Sequence, residues 1–248
     1  MQNKTLFISN TSINMFKNCK KKFKYKYIDK INITPIKSHY LSFGTSLHNT
    51  LAELNKLNIE LQTYESSIPI LEKHWISEGY ESDEDELSYF LQAKEMLENY
   101  CADRKDLGRI IFSEEMIKHY LSKNLTLCGK IDKVYVNENE KIEILDFKTG
   151  NSFIPFIDLR EDIQLPIYLL LLKYKLGVFP SIISYYYISI NQKVSLEVTK
   201  EVIDYSLLQL KNIISEINLE TQYPFTPTTR CNRFCEYFTS CEFYKGIT

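Results

Sequence analysis

Two carboxylates and an ammonium stand close together in the middle of the chain. Asp132 closes the run Gly129-Lys130-Ile131-Asp132, and Asp146 and Lys148 lie in Ile142-Glu143-Ile144-Leu145-Asp146-Phe147-Lys148-Thr149-Gly150. Two apolar-alternating runs flank the polar segment Val136 to Lys141, a pattern that predicts a β-hairpin. Residues two apart on a strand share a face, so Asp146 and Lys148 point the same way. Paired carboxylates hold a hard divalent cation, and a lysine beside them stabilises charge growing on a phosphate oxygen. Such a set suits metal-assisted cleavage of a phosphodiester. Alone, an Asp-x-Lys facing another Asp is equally the pattern of a solvated cross-strand ion pair.

Other residues extend the constellation. His48, in Phe43-Gly44-Thr45-Ser46-Leu47-His48, offers an imidazole of the kind that ligates divalent metals beside carboxylates. Gln164 and Tyr168 are four apart and share one helix face, where they can hold a phosphate, a water or the lysine. Cys231, Cys235 and Cys241 cluster near the end of the chain, with Cys19 far upstream. Three clustered thiols and a remote one can bind zinc or an iron–sulfur cluster; spacing alone does not choose, and base rates favour zinc. Cys101 and Cys128 have no such pattern and read as core residues. Lys17, Lys20, Lys21, Lys22, Lys24, Lys26 and Lys30 interleave with Phe23, Tyr25 and Tyr27. Lys20, Lys21, Lys22, Lys24 and Tyr25 are the candidate DNA contacts, ammonium groups on phosphates and a ring on an exposed base, with Arg230 and Arg233 extending the patch. A charged helix face is also often simply solvated.

The elements that must position these groups follow from periodicity. Helices are expected over Ser9 to Ile28, Ser42 to Leu57, Ile68 to Trp75, Leu87 to Cys101, Asp162 to Leu176 (ended by Gly177) and Glu201 to Leu219. The acidic run Glu81 to Glu86 reads as a solvated loop and helix start. Strands are expected over Ile110 to Leu121, Leu125 to Val136, Lys141 to Lys148, Ser181 to Ile190 and Val194 to Val198. That order predicts an α/β fold, a mixed sheet flanked by helices. One domain over residues 1–248 is expected: a helical part (1–105), a core (106–200) and a C-terminal helix with the cysteine segment (201–248). Seven glycines and seven prolines leave little for linkers. With a net charge of −2, any nucleic-acid contact must be a local patch. The N-terminus lacks a signal-peptide apolar core, and the longest apolar stretch, Leu165 to Leu172, is too short to span a bilayer. A cytoplasmic protein with reduced or metal-bound cysteines is the expectation.

Taken in order, Gly-Thr-x-x-His ending at His48, Gly-x-Ile-Asp ending at Asp132, Asp146-Phe147-Lys148-Thr149-Gly150 and Gln-x-x-x-Tyr from Gln164 to Tyr168 resemble the RecB-type nucleases of the PD-(D/E)XK superfamily. The likeness runs from Ser9 to about Tyr244 and includes Ser12-x-x-x-Phe16-x-x-Cys19-x-x-x-Phe23-x-Tyr25. The resemblance implies a nuclease core with a central mixed sheet. It implies His48, Asp132, Asp146 and the carbonyl of Phe147 as ligands of Mg²⁺ or Mn²⁺, and Lys148 as the group that orients the attacking water. Gln164 and Tyr168 match the motif that follows the lysine. Relatives also carry a glutamate on the preceding strand; Glu114 and Glu115 both qualify, and Glu115 is taken as the candidate. Some members of the family, the AddB subunit and the CRISPR-adaptation nucleases, have one cysteine before the core and three after it. There they hold a 4Fe–4S cluster, and Cys19, Cys231, Cys235 and Cys241 follow that layout, with three residues rather than two in the first C-terminal gap. The implied function is a metal-dependent DNase, a single-strand or DNA-end exonuclease of recombination or repair. The alternatives are a CRISPR-adaptation nuclease that trims prespacers beside an integrase partner, and a non-catalytic DNA-end-binding module. No G-x-x-x-x-G-K-[ST] loop is present, so unwinding would need a helicase partner.

Overall fold

The computed structural model describes residues 5–34, 36–150, 153, 155, 159–229 and 231–245, the side chains of 233, 234 and 245 excepted. Arg230 of the expected basic patch lies outside the described residues, and so does the side chain of Arg233.

A six-stranded mixed sheet is built from β1 (Leu6–Ile8), β2 (Gly108–Ser122), β3 (Leu125–Asn137), β4 (Ile142–Lys148), β5 (Ile182–Tyr187) and β6 (Gln192–Glu197). The strand that organises it is β3. Along one edge it pairs antiparallel with β2. Its other edge is divided: Leu125–Leu127 pair parallel with β1, and Lys133–Val136 pair antiparallel with β4. Between these two ladders that edge has no strand partner among the described residues, and Asp132 stands where the ladder with β4 stops. β4 runs on past the split, paired parallel to β5 through Lys148.

Side-chain alternation sends successive residues to opposite layers. Ile144, Ile183 and Val134 pack with α6 (Gln164–Leu176), α7 (Lys200–Leu219) and α1 (Asn10–Asn18). Leu145, Tyr186 and Tyr135 pack with α3 (His39–Leu54), α4 (Tyr64–His74) and α5 (Asp83–Ala102). The acidic stretch is the first turn of α5, capped by the Ser82 side chain, where four carboxylates meet the positive end of the helix dipole.

Two local departures from regular structure shape the surroundings of Asp132 and of the cysteines. The expected helix from Ser9 to Ile28 is interrupted: Cys19 is extended (φ −158°, ψ 106°) between α1 and α2 (Lys20–Phe23), and Lys24–Ile28 form a π turn. Gly129 of β3 lies under α6; a Cβ there would stand 2.9 Å from Leu171 Cδ1. The missing side chain lets α6 settle close to the sheet, so that Gln164 and Tyr168 in its first turns reach β4.

Candidate metal centre

Asp132 sits at the split and uses its carboxylate in place of the missing ladder. Its Oδ2 accepts the amide hydrogen of Phe147 at 2.8 Å. The same oxygen lies 3.3 Å from His48 Nδ1, which α3 brings in from the opposite layer. Gly44, one turn earlier on α3, allows that approach: a Cβ there would be 3.2 Å from Thr149 Oγ1. Glu114 Oε1 is 3.5 Å from the same imidazole nitrogen, and its other oxygen pairs with Lys130. One donor atom each from His48, Glu114 and Asp132 lies within 4.8 Å of the other two. An octahedral divalent ion with ligands at about 2.1 Å needs donors roughly 3 to 4 Å apart, so a small closure brings these three onto one ion. The group opens into a cleft of about 380 Å³ rimmed by Tyr40, Leu41 and Thr45.

Beside it lies a second group, held by hydrogen bonds. Asp146 Oδ1 accepts from Tyr168 Oη at 2.6 Å and from Gln164 Nε2 at 2.7 Å, while Asp146 Oδ2 pairs with Lys148 Nζ at 2.6 Å. Lys148 Nζ also donates to Gln164 Oε1 at 2.9 Å and lies 4.1 Å from the centre of the Tyr185 ring. The Tyr168 hydroxyl is 3.1 Å from the Lys130 carbonyl oxygen. The four side chains lock one another's rotamers, leaving the ammonium at one end.

The electrostatics describe a site short of positive charge. Burial and then the neighbouring Asp146 push the Asp132 carboxyl up to about 6, against the pull of His48. Burial opposes a charge on His48, but Asp132, Glu114 and Asp146 outweigh it and push the imidazole up to about 10. Burial raises Glu114, yet its bonds to His48 and Lys130 bring it below the ordinary carboxylate value. Burial likewise disfavours the Lys148 ammonium, and Asp146 more than restores it. A proton on His48 thus stands where a cation fits.

Glu115, the glutamate expected at the site, is not there; it points outward and pairs with Lys175. The reason is a β-bulge. Counted from the turn after Ser122, which faces Leu125, Glu115 would oppose Asp132; the register shift between Tyr120 and Ser122 pairs Glu115 with Ile131 instead. Glu114, between the paired residues Ser113 and Glu115, is left beside Asp132. Its backbone is left-handed (φ 52°), a conformation that costs a non-glycine residue about 1 kcal/mol or more. The turned backbone aims its carboxylate at His48 and Lys130, so the strain serves the metal group. Lys130 is a member of the site that the sequence reading missed; its place in Gly129-Lys130-Ile131-Asp132 is the only signal it carries.

The expected DNA contacts are also displaced. Lys20 pairs with Glu216 (2.8 Å) and Glu220 (2.7 Å), Lys21 with Glu242 (3.0 Å), Lys22 with Glu236 (2.5 Å) and Lys24 with Asp29 (2.7 Å). Tyr25 is 4% exposed and packs on Tyr237. This segment is a seam between the N-terminal helices and the C-terminal segment, its charges matched internally. The kink at Cys19 serves the same seam: Cys19, Cys231, Cys235 and Cys241 line one small cavity with Tyr25 and Phe225. Thr228 donates to Cys231 from its amide at 3.3 Å; burial raises that thiol, but the Thr228 bonds bring it below its ordinary value.

The chain matches the PD-(D/E)XK nuclease superfamily over residues 8–242 and belongs to it. No curated protein matches. Among solved structures, the crystal structure of a "Putative exonuclease" from Eubacterium rectale has a TM-score of 0.56 at 14% identity, covering 93% of this chain and 88% of that one. The crystal structure of SSO0001 has a TM-score of 0.37 at 13% identity, covering 98% of this chain and 87% of that one. The family uses divalent metal ions, and the His48, Glu114 and Asp132 group is a possible site for one. No helix among the described residues is long and apolar enough to cross a membrane.

Proposed function

We propose that the protein is a Mg²⁺- or Mn²⁺-dependent exonuclease acting on DNA single strands or ends in recombination or repair. The observation that carries this reading is a three-donor group (His48, Glu114, Asp132) tied by the Asp132–Phe147 amide hydrogen bond to the strand that carries Lys148, a lysine held in place by Asp146 and Gln164. A divalent cation in the cleft would supply Lewis acidity toward the phosphate and the water that attacks it. His48, Glu114 and Asp132 would hold it, with Asp146 and the Phe147 carbonyl as further ligands from the adjoining strand. Lys148 has a fixed direction and a strengthened charge, which suits it to orient the water or to stabilise the phosphoryl oxygens. Gln164 positions both Asp146 and Lys148, and Tyr168 positions Asp146.

Cys19, Cys231, Cys235 and Cys241 would hold a 4Fe–4S cluster, supported by their common cavity and by the one-plus-three spacing. Such a cluster would staple the first helices to the end of the chain, across a closed loop of some two hundred residues. The lysine–glutamate seam beside it already joins the same two segments.

The test is digestion of end-labelled single- and double-stranded DNA with Mg²⁺ or Mn²⁺, wild type beside Asp146→Ala. Metal-dependent cleavage lost in the variant is the expected result. Absence of cleavage by cluster-loaded wild type on every DNA substrate would overturn the reading and leave a DNA-end-binding module.

A further inference from the structure

Between the cysteine cavity and the metal cleft lies a groove of about 810 Å³ that the site does not use. It touches both neighbours: Tyr237 lines the groove and the cysteine cavity, and Leu41 lines the groove and the metal cleft. Its walls combine two kinds of surface. Lys26 and Lys30 are exposed and, unlike the lysines of the seam, carry no ion pair among the described residues. Phe7 (43% exposed), Tyr27 and Ile31 supply apolar and aromatic surface, with Lys118 lying 5.7 Å from the Phe7 ring. Among the described residues the carboxylate in the wall is that of Glu236, and it is taken by Lys22 at 2.5 Å. At the end next to the metal cleft, Tyr40 (69% exposed) and Leu41 (68% exposed) stand out from the first turn of α3.

We propose that this groove carries a single strand of nucleic acid into the metal cleft, its phosphates against Lys26 and Lys30 and its bases against Phe7, Tyr27 and the Tyr40–Leu41 lip. The inference rests on the nuclease reading of the metal group and assigns that site a substrate class. The charge of Lys26 and Lys30 is complementary to phosphate and forms a local patch in a chain whose net charge is −2. Apolar and aromatic walls have something to bind only when base faces are exposed, as in a single strand; a duplex presents phosphates and keeps its faces stacked. The continuity at Leu41 makes the path lead to the metal donors rather than past them. Tyr40 and Leu41 would then seat the last bases before the reacting phosphate and exclude a paired end.

The experiment is equilibrium binding, read by fluorescence anisotropy in EDTA so that no strand is cut. A labelled oligothymidylate of about 12 nucleotides is compared with a blunt duplex of equal length, for wild type and for the double variant Lys26→Glu/Lys30→Glu. The wild type should bind the single strand at least about 10-fold more tightly than the duplex. The double variant should lose about 10-fold or more for the single strand, and its slope of log affinity on log salt should be shallower by about 1.4, two phosphate contacts at 0.7 each. Tyr40→Ala should cost about 10-fold with an unchanged salt slope. Thermal melts of all variants are run alongside, since these exposed side chains should leave the fold intact. Equal binding by wild type and double variant, or equal wild-type affinity for duplex and single strand, would overturn the proposal. Wild type that shows the expected binding pattern but cleaves nothing with Mn²⁺ would remove the nuclease reading and leave the groove assignment standing.

Discussion

Asp132 and Lys133 are neighbours on one strand, and alternation sends them to opposite layers of the sheet, into two buried charge networks of opposite character. Lys133 is 1% exposed and Asp106 not at all. The Lys133 ammonium donates to Asp106 Oδ2 at 2.5 Å, to the Asp106 carbonyl oxygen at 2.9 Å and to Asn55 Oδ1 at 3.1 Å, which uses all three of its hydrogens. Asp106 also accepts from Tyr100 Oη at 2.9 Å and from Arg104 Nε at 3.1 Å, and Arg104 continues the network to Gln62 and Asn55. Nothing there is left to bind. On the other side of the strand, Glu114, Asp132 and Asp146 face Lys130, Lys148 and His48, and the charges balance only if the imidazole carries a proton. That network opens to solvent through a cleft. Burial of charge therefore does not by itself mark a functional site. Burial of charge with an unfilled demand for a cation, next to an opening, does.

The contrast can be broken by paired substitutions. The largest effect belongs to Asp132→Asn, which should lower metal-dependent cleavage by about 1000-fold or more while leaving the thermal midpoint of the metal-free protein unchanged or higher, because a strained carboxylate is removed. Both are read on one preparation, and a large drop in the midpoint would mean that Asp132 is structural. Lys133→Met should do the reverse. It removes one of the two cations that hold the buried Asp106 carboxylate, leaving Arg104, and should cost about 3 kcal/mol in urea denaturation.

Acid should separate the networks by sign. Burial raises the Asp106 carboxyl, but Lys133 and Arg104 bring it below its ordinary value. Its stabilisation is therefore present above the ordinary value of 3.8 and is lost as pH falls through the lower folded value. Asp132, raised from 3.8 to about 6, acts oppositely: in metal-free protein its contribution declines as pH rises from 3.8 to about 6. The ion must displace the His48 proton, held to about 10, so apparent Mn²⁺ affinity should rise about 10-fold per pH unit from about 6 to 10. Below about 6 the rise should be steeper, because Asp132 then gives up a proton as well. Calorimetric titration in buffers of different ionisation enthalpy would count the protons, and a flat pH dependence would contradict the cation-for-proton exchange. The smallest effect separates adjacent glutamates. Glu115→Gln removes an outward pair and should change activity less than about 2-fold and stability by under about 1 kcal/mol. Glu114→Gln should lower metal affinity, and equal behaviour of the two would refute the bulge-defined register.

Much of the site was legible in the residues themselves. The spacing of Asp146 and Lys148 puts both on one strand face, and the spacing of Gln164 and Tyr168 stacks them on one helix face; the close packing of α6 over Gly129 then brings the two pairs together. The mixed sheet and its flanking helices followed from the order of periodic segments. The three-residue strand β1 did not, being too short to show a period, and neither did the break at Cys19 inside an otherwise helical run. Asn55, Arg104, Asp106 and Lys133 gave no local signal, since a buried network is assembled from residues far apart in the chain.

What the sequence by itself determined is therefore what local period sets: which residues of one element share a face, the order of the long strands and helices, and the order of the chemical motifs. The tertiary structure alone decided which glutamate faces the metal group, through one bulge in β2. It decided that Lys20 to Lys24 close a seam, because their carboxylate partners come mostly from about two hundred residues away. It also decided that Asp132 and not Lys133 lies at the opening, because the split edge of β3 is a property of how strands pair, which no stretch of local sequence encodes.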